Sequence, residues 1–246
     1  MNDRYAKYGA VTGILFVLFI VVGFLVVTPK PPDVSASADE WHSYFTDETG
    51  GIRAGVVLVS ISLFFFIWFL GSVSSALRVI EGSPRLPTVA FGGGIIAVAS
   101  LFLIATMIST AAFRPEDTSP ELTRALNDVG LMAAVPGIAG ICALLGATAL
   151  VILRSDALPG WLGWLAALAA VAQPLGFGAL FTDSGAFAAD GELALFLPFI
   201  LGLATLVALS WQLVVLARDA ERGGPGLRGR ITGAVTGAAE GAQGKR

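Results

Sequence analysis

Six long apolar runs decide what this chain can become. They cover Tyr8 to Val27, Ala54 to Leu77, Pro87 to Phe113, Ala125 to Leu153, Trp161 to Phe181 and Leu193 to Leu216. Each comes close to the roughly 20 residues that an α-helix needs to cross about 30 Å of hydrocarbon. Inside hydrocarbon the backbone can satisfy itself only within a helix or around a closed barrel, and these runs are continuous where a barrel strand would alternate. The expected fold is therefore all-α, a polytopic bundle of six transmembrane helices spanning residues 1–222, with a short amphipathic outer helix between the first two spans. Composition agrees: 55% hydrophobic residues, 13% charged and a mean hydropathy of +0.80 set aside a soluble reading of the 246 residues.

The first run is not expected to be a cleaved leader. Arg4 and Lys7 precede it and Ala36-Ser37-Ala38 looks like a cleavage site, but Ala10 to Val27 exceeds the about 7 to 15 apolar residues of such a leader and the triplet lies well past its end.

Orientation follows from the cations. Placing the N-terminus, the second and fourth loops and the tail on one side collects 11 of the Lys and Arg residues there, against 4 (Lys30, Arg53, Arg114 and Arg124) on the other. Both termini are expected in the cytoplasm. Trp161, Trp164 and Trp211 fall at the cytoplasmic ends of spans, where an indole keeps its ring among acyl chains and its N–H near headgroups. Trp68 lies deeper and reads as a packing residue. Residues 223–246 are rich in Gly, Ala and Arg and read as a flexible cytoplasmic tail, with Arg228, Arg230, Lys245 and Arg246 drawn to anionic lipid.

Outside the membrane, Lys30-Pro31-Pro32 ends the first helix and Ser37 with Glu40 has the spacing of a capping box. Trp41, Tyr44 and Phe45 then share one helical face. This predicts a helix lying in the outer interface with its aromatics among lipid; the functional alternative is a lid over a cavity between the spans or a partner surface, and Gly50-Gly51 is the expected joint into the second span. The fourth span predicts an uninterrupted helix from Thr118, with Thr118 as cap and Glu121 as its capping-box partner. Counted back from Arg154, Asp128 stands about 26 residues or roughly 39 Å away, which puts it among outer headgroups. Pro136 deprives the Met132 carbonyl of its helical donor and predicts a kink. Gln173 is the polar group nearest mid-membrane and is expected to bond between helices or to line a cavity.

Gly92-Gly93-Gly94 suggests a close helix crossing; no strand precedes it and no GK[ST] follows, which argues against a phosphate loop. Serines 72, 74 and 75 mark another packing seam. Leu70-Gly71 onward and Leu145-Gly146 onward form two similar span-and-return units, a weak sign of an internal repeat. His42 and Cys142 are each the only residue of their kind, so a metal site is not expected, nor is a cofactor or nucleic-acid partner. No GxSxG motif accompanies His42, and the central third of every span lacks a charged residue or histidine, which argues against ion-coupled transport.

The arrangement resembles a family of uncharacterised six-helix membrane proteins common in actinobacteria. The likeness rests on the outer helix around Ala38 to Phe45, the second span ending Trp68-Phe69-Leu70-Gly71, and Leu158-Pro159-Gly160-Trp161-Leu162-Gly163-Trp164. It implies a location in a bacterial inner membrane and no known activity. The leading expectation is a non-catalytic accessory or scaffold subunit whose partners are lipids and other membrane proteins or further copies of itself. The second is a carrier or binding protein for a lipid or small apolar ligand, with a cavity bordered by Trp41, Arg124, Asn127, Asp128 and Gln173. A membrane-embedded lipid-modifying enzyme comes third.

Overall fold

The computed structural model describes residues 3–155 and 157–222, so the tail 223–246 and its basic residues lie outside the described residues. No strand occurs among those described. Helix α1 (Asp3–Val21) widens into a π-helical stretch, Val22–Val27. The chain continues through α2 (Ala38–Asp47), α3 (Thr49–Glu81), α4 (Arg85–Phe113), α5 (Pro120–Met132), α6 (Ala134–Leu153), α7 (Gly160–Ala172) and α8 (Leu197–Glu221). A 3-10 stretch, Gln173–Leu180, extends α7, and a π-helical stretch, Glu192–Phe196, leads into α8. Six helical stretches of 20 to 34 residues are long and apolar enough to cross a membrane, α5 and α6 together forming the fourth. The all-α transmembrane bundle read from the sequence is the observed fold.

The helices overrun the apolar runs that announced them. α3 starts at Thr49, five residues before Ala54, and ends at Glu81, where Gly82 takes a left-handed φ of 71° and returns its N–H to the Arg78 carbonyl. Gly50-Gly51 therefore sits inside α3, and the joint with α2 is Glu48 (φ −104°, ψ 15°). The cap of α5 is also displaced by one residue from Thr118. The Ser119 side chain accepts the Leu122 N–H, while the Thr118 hydroxyl donates back to the Arg114 carbonyl at 2.9 Å. Pro120 then occupies the first helical position, where its missing N–H costs nothing.

Proline also divides the fourth span, which the sequence presented as one unbroken helix. Pro136 has no N–H for the Met132 carbonyl, and the helix turns at Ala133 between α5 and α6. Pro174 acts in the same way at the end of α7. It releases the Ala170 carbonyl, which accepts the Cys142 thiol at 3.5 Å, and the chain tightens into the 3-10 stretch. Pro198 follows the π-helical stretch before α8.

One large apolar cluster joins α1, α3, α4, α6, α7 and α8, with Phe16 stacked on Phe66 at 4.3 Å between ring centroids. α4 and α6 approach most closely at a pair of glycines. A Cβ on Gly140 would stand 2.6 Å from the Gly93 carbonyl oxygen, and one on Gly93 would run into the Gly140 carbonyl. The central glycine of the triplet is thus the crossing point, as the small-residue pattern predicted. Gly92 faces open space.

Trp68 does not pack inside the bundle. It is 61% exposed, beside Phe64, while Phe66 and Phe69 are buried. The aromatic run of α3 is simply divided between inward and outward faces by the helical period. Trp161, Trp164 and Trp211 are exposed at the end opposite α2, as an interfacial belt requires.

Gly93→Ala is expected to destabilise the bundle by roughly 1–3 kcal/mol, because the methyl group meets backbone. Gly92→Ala is expected to be neutral or mildly stabilising. Unfolding both variants in mixed detergent micelles checks the pair, and equal effects would remove the crossing from the account.

Candidate functional site

The polar contacts around α2 and two surface grooves lie at one end of the bundle. This helix begins with the expected capping box: the Glu40 carboxylate accepts the Ser37 N–H at 2.8 Å, and the Ser37 hydroxyl oxygen accepts the Glu40 N–H at 3.3 Å. Its aromatic face does not lie in lipid. Trp41 and Phe45, 4% and 1% exposed, sit in a separate apolar cluster with Ile52 of α3 and Ala111 and Ala112 of α4, flanked by Leu126 of α5. The helix has found apolar protein surface where an interfacial helix would find acyl chains, because α3, α4 and α5 present apolar side chains near their ends to it.

Several polar contacts hold this arrangement. The Tyr44 hydroxyl donates to the Pro29 carbonyl at 2.8 Å, and His42 Nδ1 lies 3.4 Å from the hydroxyl of the fully buried Thr123 on α5. Arg53, at the start of α3, reaches across to α4. Its Nε and Nη2 donate to the Ala112 carbonyl at 3.0 and 2.8 Å, and Nη2 donates to the Phe113 carbonyl at 2.7 Å. These are orphan carbonyls of the last turn of α4, so the guanidinium serves as the cap of a helix it does not belong to. Further along, the Val34 N–H donates to Asp190 at 3.1 Å and ties the loop before α2 to the loop before α8.

The five residues singled out from the sequence do not form one site. Trp41 and Asn127 lie on facing helices, α2 and α5, and Asn127 is 3% exposed. Thr123 and Asn127 are both buried one turn apart on α5, and Thr123 meets His42 of α2; the isolated sequence gives no reason to select Thr123. Arg124 and Asp128 turn toward solvent as a loose pair, 3.9 Å apart with side chains 39% and 49% exposed. In that geometry the pair is worth only about 0.2–0.5 kcal/mol. Gln173 belongs elsewhere: its amide donates to the Pro198 carbonyl at 3.0 Å and joins the end of α7 to α8. Of the two roles expected for Gln173, the interhelical bond is the one observed.

Two shallow grooves open at this end, both among loops. One of about 470 Å³ is lined by Asp33, Asp183, Asp190 and Glu192, the other of about 490 Å³ by Lys30, Pro31, Glu40 and Tyr44. Neither is lined by Trp41, Asn127 or Gln173. No group of three or more His, Cys, Asp or Glu side chains among the described residues is placed to hold a metal ion.

Two ionisable groups set a pH range for the docking of α2. The backbone N–H and hydroxyl of Ser37 hold the Glu40 carboxyl below its ordinary 4.5. Burial, with the Glu48 charge adding to it, pushes the Tyr44 phenol from 10.0 up to about 12. The Glu40 contribution is present above 4.5 and fades as pH falls through its lower folded value. The Tyr44 contribution is full below 10.0 and fades as pH rises toward 12. Thermal stability in detergent is expected to decline on both flanks, and Tyr44→Phe should abolish its part of the alkaline decline. Asp128→Asn, by contrast, should shift unfolding by less than about 0.5 kcal/mol at neutral pH. A larger loss would mean that Asp128 has a buried partner.

Comparison with family models, curated proteins and solved structures finds no match to this chain, so the reading of its function rests on its own geometry.

Proposed function

We propose that this protein is a non-catalytic accessory or scaffold subunit of a membrane complex. Its setting is a bacterial inner membrane, with both termini cytoplasmic and the α2 end outside. The excess of Lys and Arg expected on the side opposite α2 supports that orientation. Its partners are membrane lipids and other membrane proteins, or further copies of itself.

The observation that carries the reading is the contrast between interior and exterior of the spans. In the interior, polar groups serve the helices themselves: Gln173 bonds the Pro198 carbonyl, Cys142 bonds the Ala170 carbonyl, and Thr148 and Thr205 bond carbonyls four residues back. Toward the exterior, only 28–33% of the most apolar window is buried in five of the six spans, against 56% in the fourth. The fourth span is a central post, and the other five turn most of their surface outward. Such a body offers lateral apolar area on several sides, which suits helix-to-helix assembly in a bilayer.

Native mass spectrometry after extraction in a mild detergent from cells at native expression level tests this. The expected spectrum contains a stoichiometric membrane protein or a second copy of the chain. A monomer carrying neither, under conditions that preserve known membrane complexes, would sink the proposal.

A further inference from the structure

Trp68 faces outward in the wrong place for a tryptophan. It is 61% exposed, and it lies ten residues before Arg78 and fifteen after Arg53, the cations that bound the apolar run of α3. At 1.5 Å per residue Arg78 is about 15 Å away, half of the roughly 30 Å of hydrocarbon. The indole therefore stands near the middle of the hydrocarbon, whereas Trp161, Trp164 and Trp211 fall toward span ends where an N–H meets headgroups. The Trp68 N–H finds no acceptor among the described residues, and its ring contact is with Phe64, at 6.3 Å between centroids.

Lipid does not supply that acceptor. Acyl chains carry none, and ester carbonyls and water begin about 15 Å away. A donor left unmade in hydrocarbon is costly, so what completes it is protein that crosses the membrane. The surrounding face has the form of a helix seat. Val57, Ile61, Phe64, Trp68, Gly71 and Ser75 recur at spacings of three and four, which sets them in one row along α3. The first four are 39–61% exposed, and a Cβ on Gly71 would meet nothing within 4 Å, so a second helix can rest on the large side chains and close in at the glycine. A second copy of the chain is the poorer occupant. Copies share one orientation in a membrane, so α3 would meet α3 in parallel, level against level. Helical side chains lean toward the helix start, which puts the indole at the level of Phe64, and the nearest oxygen-bearing side chain of the row, Ser75, lies about 10 Å beyond Trp68 in the other direction.

We propose that this row of α3 is the docking seam for one transmembrane helix of another membrane protein, which brings an acceptor oxygen to the Trp68 indole and packs closely at Gly71. The acceptor is a Ser or Thr hydroxyl, an Asn or Gln carboxamide, or a backbone carbonyl released by proline, as the Ala170 carbonyl is in this chain. The inference rests on the accessory-subunit reading above and gives that reading a site.

The test uses the full chain at native expression level, carrying the photo-crosslinker benzoylphenylalanine at Phe64 or, as control, at Leu168 on the outward face of α7. The expected product joins position 64, and not position 168, to one membrane protein through a transmembrane helix that bears such an acceptor. Trp68→Phe keeps a ring and removes the N–H. It should lower the yield about three- to ten-fold, as one interhelical hydrogen bond implies, while the isolated protein unfolds at an unchanged temperature. Gly71→Leu, which fills open space on the isolated chain, should lower the yield further. Native mass spectrometry of the same membranes separates the seam from the reading it rests on. A stoichiometric complex that persists undiminished in both variants overturns the seam and leaves the subunit reading standing, whereas the absence of any complex overturns both. Cross-links to lipid alone, to a second copy of the chain, or in equal yield from both positions would also overturn the seam.

Discussion

The constraint on which this structure depends is that a backbone amide in hydrocarbon has no water to turn to. Every interruption of a helix must therefore be answered locally, and three of the interruptions here are at prolines. At Pro174 the answer is visible in detail: the carbonyl that the proline releases at Ala170 accepts the Cys142 thiol from α6, while the helix tightens beyond it. The single cysteine thus supplies the donor that the proline withholds. Pro136 and Pro198 sit at two further irregularities, the break at Ala133 and the π-helical stretch before α8. All three lie toward the α2 end of their spans. That half of the bundle is accordingly irregular, and the opposite half is built from unbroken helix.

Much of the fold was legible because hydropathy reports directly on the solvent a segment needs. The spans, the capping box at Ser37 and Glu40, the crossing at Gly93 and the kink at Pro136 all rest on local rules of solvation or stereochemistry. The misreadings share a different cause. Lipid and protein interior are equally apolar, so the sequence could not say which aromatics would face which. The pattern predicts Trp68 inward and Trp41 and Phe45 in lipid, whereas Trp68 stands outward and Trp41 and Phe45 are buried in protein. The cap of α5 was misplaced by one residue because Thr118 and Ser119 are both competent, and Pro120 at the first helical position selects the nearer.

Of the five residues expected to border a site, three are buried, Trp41, Asn127 and Gln173. α2 and α5, amphipathic helices from different parts of the chain, pack together, with Leu126 of α5 against the cluster that holds Trp41 and Phe45. Arg124 and Asp128 share the helix of Asn127 but point to solvent, and Gln173 is engaged with Pro198. Helical spacing tells which residues share a face of one helix. It says nothing of which faces meet, and Arg53, bonded to carbonyls 59 and 60 positions away, gave no local sign of its role.

That guanidinium also fixes the register of two helices. Arg53 stands one turn inside the start of α3 and holds the last carbonyls of α4, so the two ends of a hairpin more than forty ångströms long are matched at its open mouth. Sliding α4 by one helical turn would bring other carbonyls to Arg53 and leave Ala112 and Phe113 unserved. The turn at Gly82 closes the hairpin at one end and Arg53 latches it at the other. The α3–α4 pair is thereby a gauge of fixed length, against which the remaining helices are set.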